Sequence, residues 1–390
     1  GGMVACGAPT ETPKKEEKKV APTPVVPTTS YTHYVNPLMG TDSTFELSNG
    51  NTYPAIAVPW GMHFWTPQTG KMGDGWVYQY HAQKIRGFKQ THQPSPWIND
   101  YGAFALMPVV GNLKIKEDER ASWFSHKTET AQPHYYQVYL ADYDTTVEIT
   151  PTNRAAQFRF TFPETDKAYL LLDAFFKGSK VQVLPQERKI IGYARNNSGG
   201  VPENFHNYFV ITFDKDFESV QTWGNGYKLS NKPESEGEHT GAVIGFRTKK
   251  GEQITAKVAS SFISPAQALL NLQTELGNDT FEQTQQKALA LWEAELGKIQ
   301  VEDENIDHLR TFYSCLYRTL LFPRTFYEYD KAGEIVHYSP YNGKVEKGYM
   351  FTDNGFWDTF RSVFPLFNLL YPEMNQQMMK GLVNAYKESG

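Results

Sequence analysis

The chain holds two cysteines in 390 residues, Cys6 and Cys315, which is too few for a disulfide framework and rules out a disulfide-stapled secreted scaffold. The residue types that hold transition metals also lack their usual spacing: there is no His-x-x-x-His pair, no cysteine pair and no regular acidic calcium loop. A Gly-x-Ser-x-Gly elbow and a phosphate-cradling glycine loop are likewise missing, so serine-hydrolase and nucleotide chemistry have no motif to stand on. Net charge is −5, with 43 acidic and 38 basic residues, and no basic excess is available to grip nucleic acid or an anionic membrane. After its first thirty residues the chain has no apolar run approaching the ~18 residues of a membrane-spanning helix.

Aromatic residues are what the chain has in plenty: 25 Phe, 23 Tyr and 8 Trp, or 14% of all positions. Such side chains either fill a large core or line a surface on which sugar rings stack, and composition by itself fits the core better. With 23 Pro and 30 Gly, the chain reads as many strands joined by ordered loops. Its length leaves room for two or three domains.

The first thirty residues stand apart. Gly1-Gly2-Met3-Val4-Ala5-Cys6-Gly7 resembles the tail of a bacterial lipoprotein signal, with Met3 where leucine is usual. Residues 8–30 are rich in Pro, Thr, Lys and Glu, with little to bury, as in a solvated tether. Cys6 is therefore the expected lipidation site, and a lipid anchor to a bacterial cell envelope the expected location. Cys315 falls in a helical pattern and is expected as a buried free thiol.

From residue 31 to 262 the pattern is β. Alternation is clear in Tyr136-Gln137-Val138-Tyr139-Leu140, in Thr146-Val147-Glu148-Ile149-Thr150 and in Gln157-Phe158-Arg159-Phe160-Thr161-Phe162. Apolar strands are expected at 168–173, 208–213, 242–246 and 254–262, with a Gly- and Asn-rich loop at 196–205. Short connections imply antiparallel pairing in a large sandwich.

The period then changes. Ser264-Pro265-Ala266-Gln267 reads as a capping box, and a linker of two helices should follow over 263–300, stopping at Gly297. A further helix carries Ile306, Leu309, Phe312, Tyr313, Leu316 and Leu320. Residues 324–352 read as a loop; helices resume at Trp357, with a kink or break at Pro365, and the last begins at Pro372. The expected organisation is thus a tether (1–30), an antiparallel β-sandwich (31–262), a helical linker (263–300) and the start of a helical domain (301–390). So few helices cannot bury both faces they display, and an unfinished helical domain is expected.

The candidate chemistry lies in two places. One is the aromatic, Gly- and Pro-punctuated region holding Trp60, His63, Trp65, Asp74 and Trp76, followed by Lys89-Gln90-Thr91-His92-Gln93-Pro94-Ser95-Pro96-Trp97 and Asp100-Tyr101-Gly102. Long aromatic loops are often functional, although each tryptophan is equally open to core packing. The other is Gly355-Phe356-Trp357-Asp358-Thr359-Phe360-Arg361. There an indole can cover the C–H face of a sugar while the neighbouring carboxylate accepts hydrogen bonds from its hydroxyls. Asp358 could also pair with Arg361 along a helix, and Asp353 is placed as an N-cap or first-turn anion.

These motifs resemble glycoside hydrolase family 92, the calcium-dependent exo-acting α-mannosidases. The likeness runs from about residue 34 to 390 through Tyr34-Val35-Asn36-Pro37-Leu38-Met39-Gly40-Thr41, Pro59-Trp60-Gly61-Met62, Gly87-Phe88 with Thr91-His92, Asp100-Tyr101-Gly102, Thr150-Pro151-Thr152-Asn153-Arg154 and the 355–361 motif. It implies a β-sandwich joined by a helical linker to an (α/α)6 barrel, here incomplete. It also implies inverting hydrolysis of terminal α-linked mannose on mannose-rich glycans, with calcium as cofactor. By resemblance, Trp357 and Asp358 line the pocket for the terminal mannose, Trp76 covers the neighbouring sugar, and His92 faces the cleft. The catalytic acid and base and most of the calcium shell are expected beyond Gly390. Where many members carry Ser-His-Thr-His-Leu-Ser-Gly, this chain has Lys89 to Pro96, a departure on the leaving-group side. The alternative from another class is a non-catalytic glycan-binding envelope lipoprotein; a structural assembly module would leave Trp357, Asp358 and the loop tryptophans without a purpose.

Overall fold

The computed structural model describes residues 30–354, 359 and 361–390. Two antiparallel sheets dominate. The first has seven strands in the order Phe64–Gln68, Gly87–Thr91, Phe104–Val110, Thr165–Asp173, Gly241–Thr248, Ser219–Gly224 and Lys228–Ser230. The second has nine, in the order Glu234–Gly237, Ser179–Leu184, Lys189–Ala194, Asn207–Phe213, Glu252–Ser261, Ala155–Phe162, Thr145–Pro151, Tyr135–Leu140 and Thr130–Gln132. Alternation sets which side chains face inward: Ser179, Val181 and Val183 are buried, and Lys180, Gln182 and Leu184 between them are half-exposed. The sheets meet through aromatic rings, with Trp65 edge-on to Phe158 at 4.9 Å and Phe104 against Phe209 at 4.7 Å. Contacts of this kind contribute about 0.5–1.5 kcal/mol each beyond the area they bury.

Several strands lie where sequence periodicity is silent. Phe64–Gln68 and Gly87–Thr91 are buried at every position, so no polar face marks them. Pro67 is tolerated because its strand is the edge of its sheet. Trp60 and Trp65, two of the candidate loop tryptophans, are accordingly core residues at 2% and 0% exposure. The expected loop at 324–352 also carries short strands, including the pairs Arg324–Thr325 with Phe351–Thr352 and Glu328–Tyr329 with Ile335–Tyr338.

The helix Pro265–Glu275 lies across the second sheet, burying Ala268 and Leu272 against Ala155, Val210 and Ala259. Ser264 caps its Gln267 N–H, but the Gln267 side chain turns away to Asn271 and Tyr329, so only half of a capping box forms. The reciprocal box belongs to Thr280 and Gln283 at the start of Phe281–Leu296, which stops at Gly297 as expected.

A second core joins the sandwich to the helices. Val35, Tyr53, Trp60 and Phe64 pack with Trp292, Tyr313, Tyr317 and Phe367. Hydrogen bonds stitch the same seam: Trp292 Nε1 donates to Ala57 O (2.7 Å), Tyr317 Oη to Ala55 O (2.5 Å), and Arg318 to Tyr53 O and Pro37 O (both 2.6 Å). In the helix Ile306–Thr319, Tyr313, Leu316 and Tyr317 face this core. Cys315, at about 100° per residue, is rotated to the opposite side, so the expected buried thiol is instead exposed. The expected kink or break before Pro365 is a break: a turn at Arg361 and Ser362 precedes the helix Val363–Leu370, which begins two residues before Pro365, where proline costs no hydrogen bond. The final helix, Pro372–Ser389, buries Met378 and Gly381 but leaves Leu382, Val383 and Tyr386 exposed. The described helices do not close a barrel. None is long and apolar enough to cross a membrane.

Candidate functional site

The strand Gly87–Thr91 organises the junction between sandwich and helices. Its alternation sends Phe88 and Gln90 into the space between the sheets, where Gln90 donates to Ser260 Oγ at 3.0 Å. His92 continues that inward face. It is wholly buried, with Nδ1 2.5 Å from Tyr101 O and Nε2 2.7 Å from His63 Nδ1. The carbonyl can only accept, so Nδ1 of His92 carries the proton and Nε2 accepts from His63 Nδ1–H. Burial holds both imidazoles well below the usual histidine pKa, and both are neutral. His92 is therefore enclosed, with no exposed edge to meet a ligand directly, contrary to the expectation that it faces a cleft. Its ring stacks on Tyr101 at 4.9 Å.

Tyr101 passes this support on. Its hydroxyl donates to Asp353 Oδ2 at 2.7 Å and accepts from Arg324 Nη2 at 3.1 Å. Arg324 is fully buried, donates through Nη1 to Thr91 O at 3.2 Å, and sets Nε 3.1 Å from Asp353 Oδ2 as a charge contact without an aligned hydrogen bond. Burial raises the Asp353 pKa, and the guanidinium opposes that rise. For Arg324 burial disfavours the cation, but Tyr101, Asp353, Tyr53 and Asp100 together keep its pKa above the ordinary value.

Asp353 is thus no N-cap. Its φ of +60° is left-handed, whereas a capping residue is extended, and its carboxylate belongs to Arg324 and Tyr101. Strain of this kind is retained where surroundings over-determine it. Here it fixes the chain immediately before residues 355–358. Trp357 and Asp358, the expected contacts to a terminal sugar, lie outside the described residues, as does Cys6. A cavity of about 220 Å³ opens over Asp353 and Asn354, walled by Phe351, Tyr341 and Leu382.

The other face of the strand carries Lys89 and Thr91 to Asp100. Lys89 Nζ lies 3.0 Å from Asp100 Oδ2, with both side chains at 5% exposure or less. Asp100 also accepts from Thr91 Oγ1 (2.7 Å), His92 N (2.7 Å) and Tyr101 N (2.8 Å). The sequence departure at Lys89 is thus an internal ion pair, and it forms part of a polar pocket of about 190 Å³ with Asp74, Asn99, Asn196 and Asn197.

Trp76 is half-buried beside this pocket. Gln93 Nε2 bridges Gly75 O (3.0 Å) and Ser95 O (2.8 Å), tying the Trp76 loop to the Trp97 loop, while Trp76 Nε1 donates to Asn51 Oδ1 at 3.4 Å. Edge-to-face contacts join Trp76 to Trp97 (5.3 Å) and to Phe45 (6.1 Å). Gln93, next to His92, links that residue's segment to the Trp76 loop through Gly75 O. Arg324 is the participant that sequence reasoning missed, since a lone arginine after a proline carries no signal. Asp100 and Tyr101 stood in a quoted motif without a role.

Comparison with known proteins agrees with this architecture. Residues 34–261 match the glycosyl hydrolase family 92 N-terminal domain, and residues 267–390 match the family 92 catalytic domain. The chain belongs to glycosyl hydrolase family 92. Within that family it is similar to an inverting mannosidase from Bacteroides thetaiotaomicron, at 49% identity and a TM-score of 0.91, covering 93% of this chain and 49% of that one. An α-mannosidase of the same organism, solved with mannoimidazole, is 32% identical with a TM-score of 0.82, over 93% of this chain and 49% of that one. A third family 92 structure, at 23% identity and a TM-score of 0.80, shares the fold. The chain spans about half the length of these solved relatives. A comparison with curated proteins returns no match.

Proposed function

We propose that a polypeptide of the relatives' length carrying this chain hydrolyses terminal α-linked mannose from mannose-rich glycans with inversion at the anomeric carbon. The observation that carries the reading is the 49% identity to an inverting mannosidase across 93% of the chain. The junction supports it physically: the buried Arg324 joins Tyr101 and Asp353 in a hydrogen-bonded and charge-paired cluster just before Trp357 and Asp358 in sequence, which we take as the terminal-sugar contacts. Trp76 then covers the neighbouring sugar. His92 acts one layer behind, as a positioning residue that braces Tyr101.

Inversion needs an acid and a base roughly 6.5–9.5 Å apart across the sugar. Among the described residues no three His, Cys, Asp or Glu side chains gather to hold a metal. The proposed calcium dependence is therefore assigned to the longer polypeptide, and no step is derived through the ion. The 390 residues alone are expected to bind mannose weakly without hydrolysing it. We further propose that Cys6 is lipidated and anchors the protein in a bacterial envelope, on the strength of residues 1–7 and the tether after them; metabolic labelling with a radioactive fatty acid, lost in Cys6→Ser, would support it.

The test measures mannose released from α-mannobiose, with calcium and with a chelator. The polypeptide of the relatives' length should release mannose, chelation should abolish release, and the 390 residues should release none. Absence of release from the longer polypeptide would favour the glycan-binding reading, to which the exposed aromatic rings lend some support.

A further inference from the structure

Most large aromatic side chains here are buried, yet Phe45 and Trp97 are 74% and 61% exposed. They are not loose. Their rings lie 6.0 Å apart edge to face, and each makes a similar contact with Trp76. The loop beneath is fixed by the Gln93 bridge and by Gly75, where an added Cβ would overlap Pro96 O. Water therefore meets a preformed aromatic surface whose inner edge is Trp76 and whose flank is the polar pocket containing Lys89, Asp74 and Asn99.

We propose that Phe45 and Trp97 form a platform for a sugar lying beyond the one that Trp76 covers, so that the site grips an oligosaccharide of at least three residues. This rests on the proposed function insofar as Trp76 marks the leaving-group side. A sugar suits the surface because its C–H face stacks on indole or phenyl while its rim hydroxyls need the amides and carboxylates that the adjoining pocket supplies. A protein partner suits it less. With Leu47 and Ile98 of the same two loops also exposed, at 66% and 53%, the apolar side chains on offer are few against the ~20–30 residues a side of a stable protein interface. Small exposed apolar clusters on monomers are often functional.

The test compares Trp97→Ala and Phe45→Ala with wild type in the polypeptide of the relatives' length, on α-linked mannotetraose and on 4-nitrophenyl α-mannoside. Each variant should raise KM for the tetrasaccharide about 5- to 10-fold and leave the nitrophenyl substrate unchanged. An equal loss on both substrates, or no change on either, would overturn the platform. Should wild type hydrolyse neither, the proposed function falls, and calorimetric titration of the 390 residues with mannotetraose still decides the platform. Binding lost in Trp97→Ala but kept in Trp123→Ala, which alters an exposed tryptophan on a different element, the strand Ser122–Trp123, supports it. Binding unaffected by either change, or a dimer that Trp97→Ala dissociates, refutes it.

Discussion

Replacing Arg324 with methionine removes a guanidinium in contact with Asp353 while keeping most of the side chain's volume. Among the described residues Asp353 then keeps the hydrogen bond from Tyr101, and Asp100 loses a nearby cation. Breaking a buried pair from one side costs about 3–5 kcal/mol, because the remaining charge is stranded. At about 2 °C per kcal/mol for a body this large, the melting temperature should fall by roughly 6–10 °C. The pH dependence separates this cause from a simple packing defect. Burial already raises the folded-state pKa of Asp353 above its unfolded value, and loss of the guanidinium raises it further. The folded variant then binds a proton that the unfolded chain does not, so its stability falls as pH rises through that widened window, by up to about 1.4 kcal/mol per pH unit. The deficit relative to wild type should be smaller at pH 5 than at pH 8, and Arg324→Met with Asp353→Asn should recover part of it. Thermal unfolding of wild type, Arg324→Met and the double variant at both pH values is the assay. A melting temperature within 2 °C of wild type, or a deficit identical at the two pH values, would refute the reasoning.

Three further outcomes follow from the same geometry. His63 and His92 are held neutral by burial, so the folded state resists protons that the unfolded chain accepts, and stability should fall as pH drops below about 6.5. Urea midpoints at pH 7 and 5.5 should converge in His63→Leu relative to wild type, and parallel losses would contradict this. Gly75→Ala must push the Trp76 loop off Pro96, at a cost of about 1–3 kcal/mol; acrylamide should then quench tryptophan fluorescence more strongly, and an unchanged quenching curve would argue against the contact. In a Cys6→Ser background, Cys315 should react with an aromatic disulfide reagent in the native state, whereas reaction only after denaturation would mean that it is buried.

The fold was legible where one face of an element is wet. Tyr136 to Leu140 and Gln157 to Phe162 announce themselves by alternation, and Pro265 to Leu276 by its cap and leucine spacing. Phe64–Gln68 and Gly87–Thr91 were not, because both faces are buried and the strands carry Pro, Gly, Lys and Gln. For the site, the 355–361 motif sets an indole beside a carboxylate in plain sequence, whereas Trp76 is singled out only through the family resemblance; Trp357 and Asp358 lie outside the described residues. The resemblance alone points His92 toward the cleft; the strand before it shows that it shares an inward face with Phe88 and Gln90. Arg324 lies 223 positions from Tyr101 and 233 from Thr91, and such pairings exist only in three dimensions.

Inversion is read most directly from the stereochemistry of hydrolysis. Proton NMR of the polypeptide of the relatives' length acting on α-mannobiose with calcium, followed from the first minute, reads the anomer released before mutarotation. β-Mannose should appear first, with the α-anomer growing in later. Initial α-mannose would mean retention and would contradict an inverting mechanism, and no mannose at all would contradict the hydrolase assignment itself.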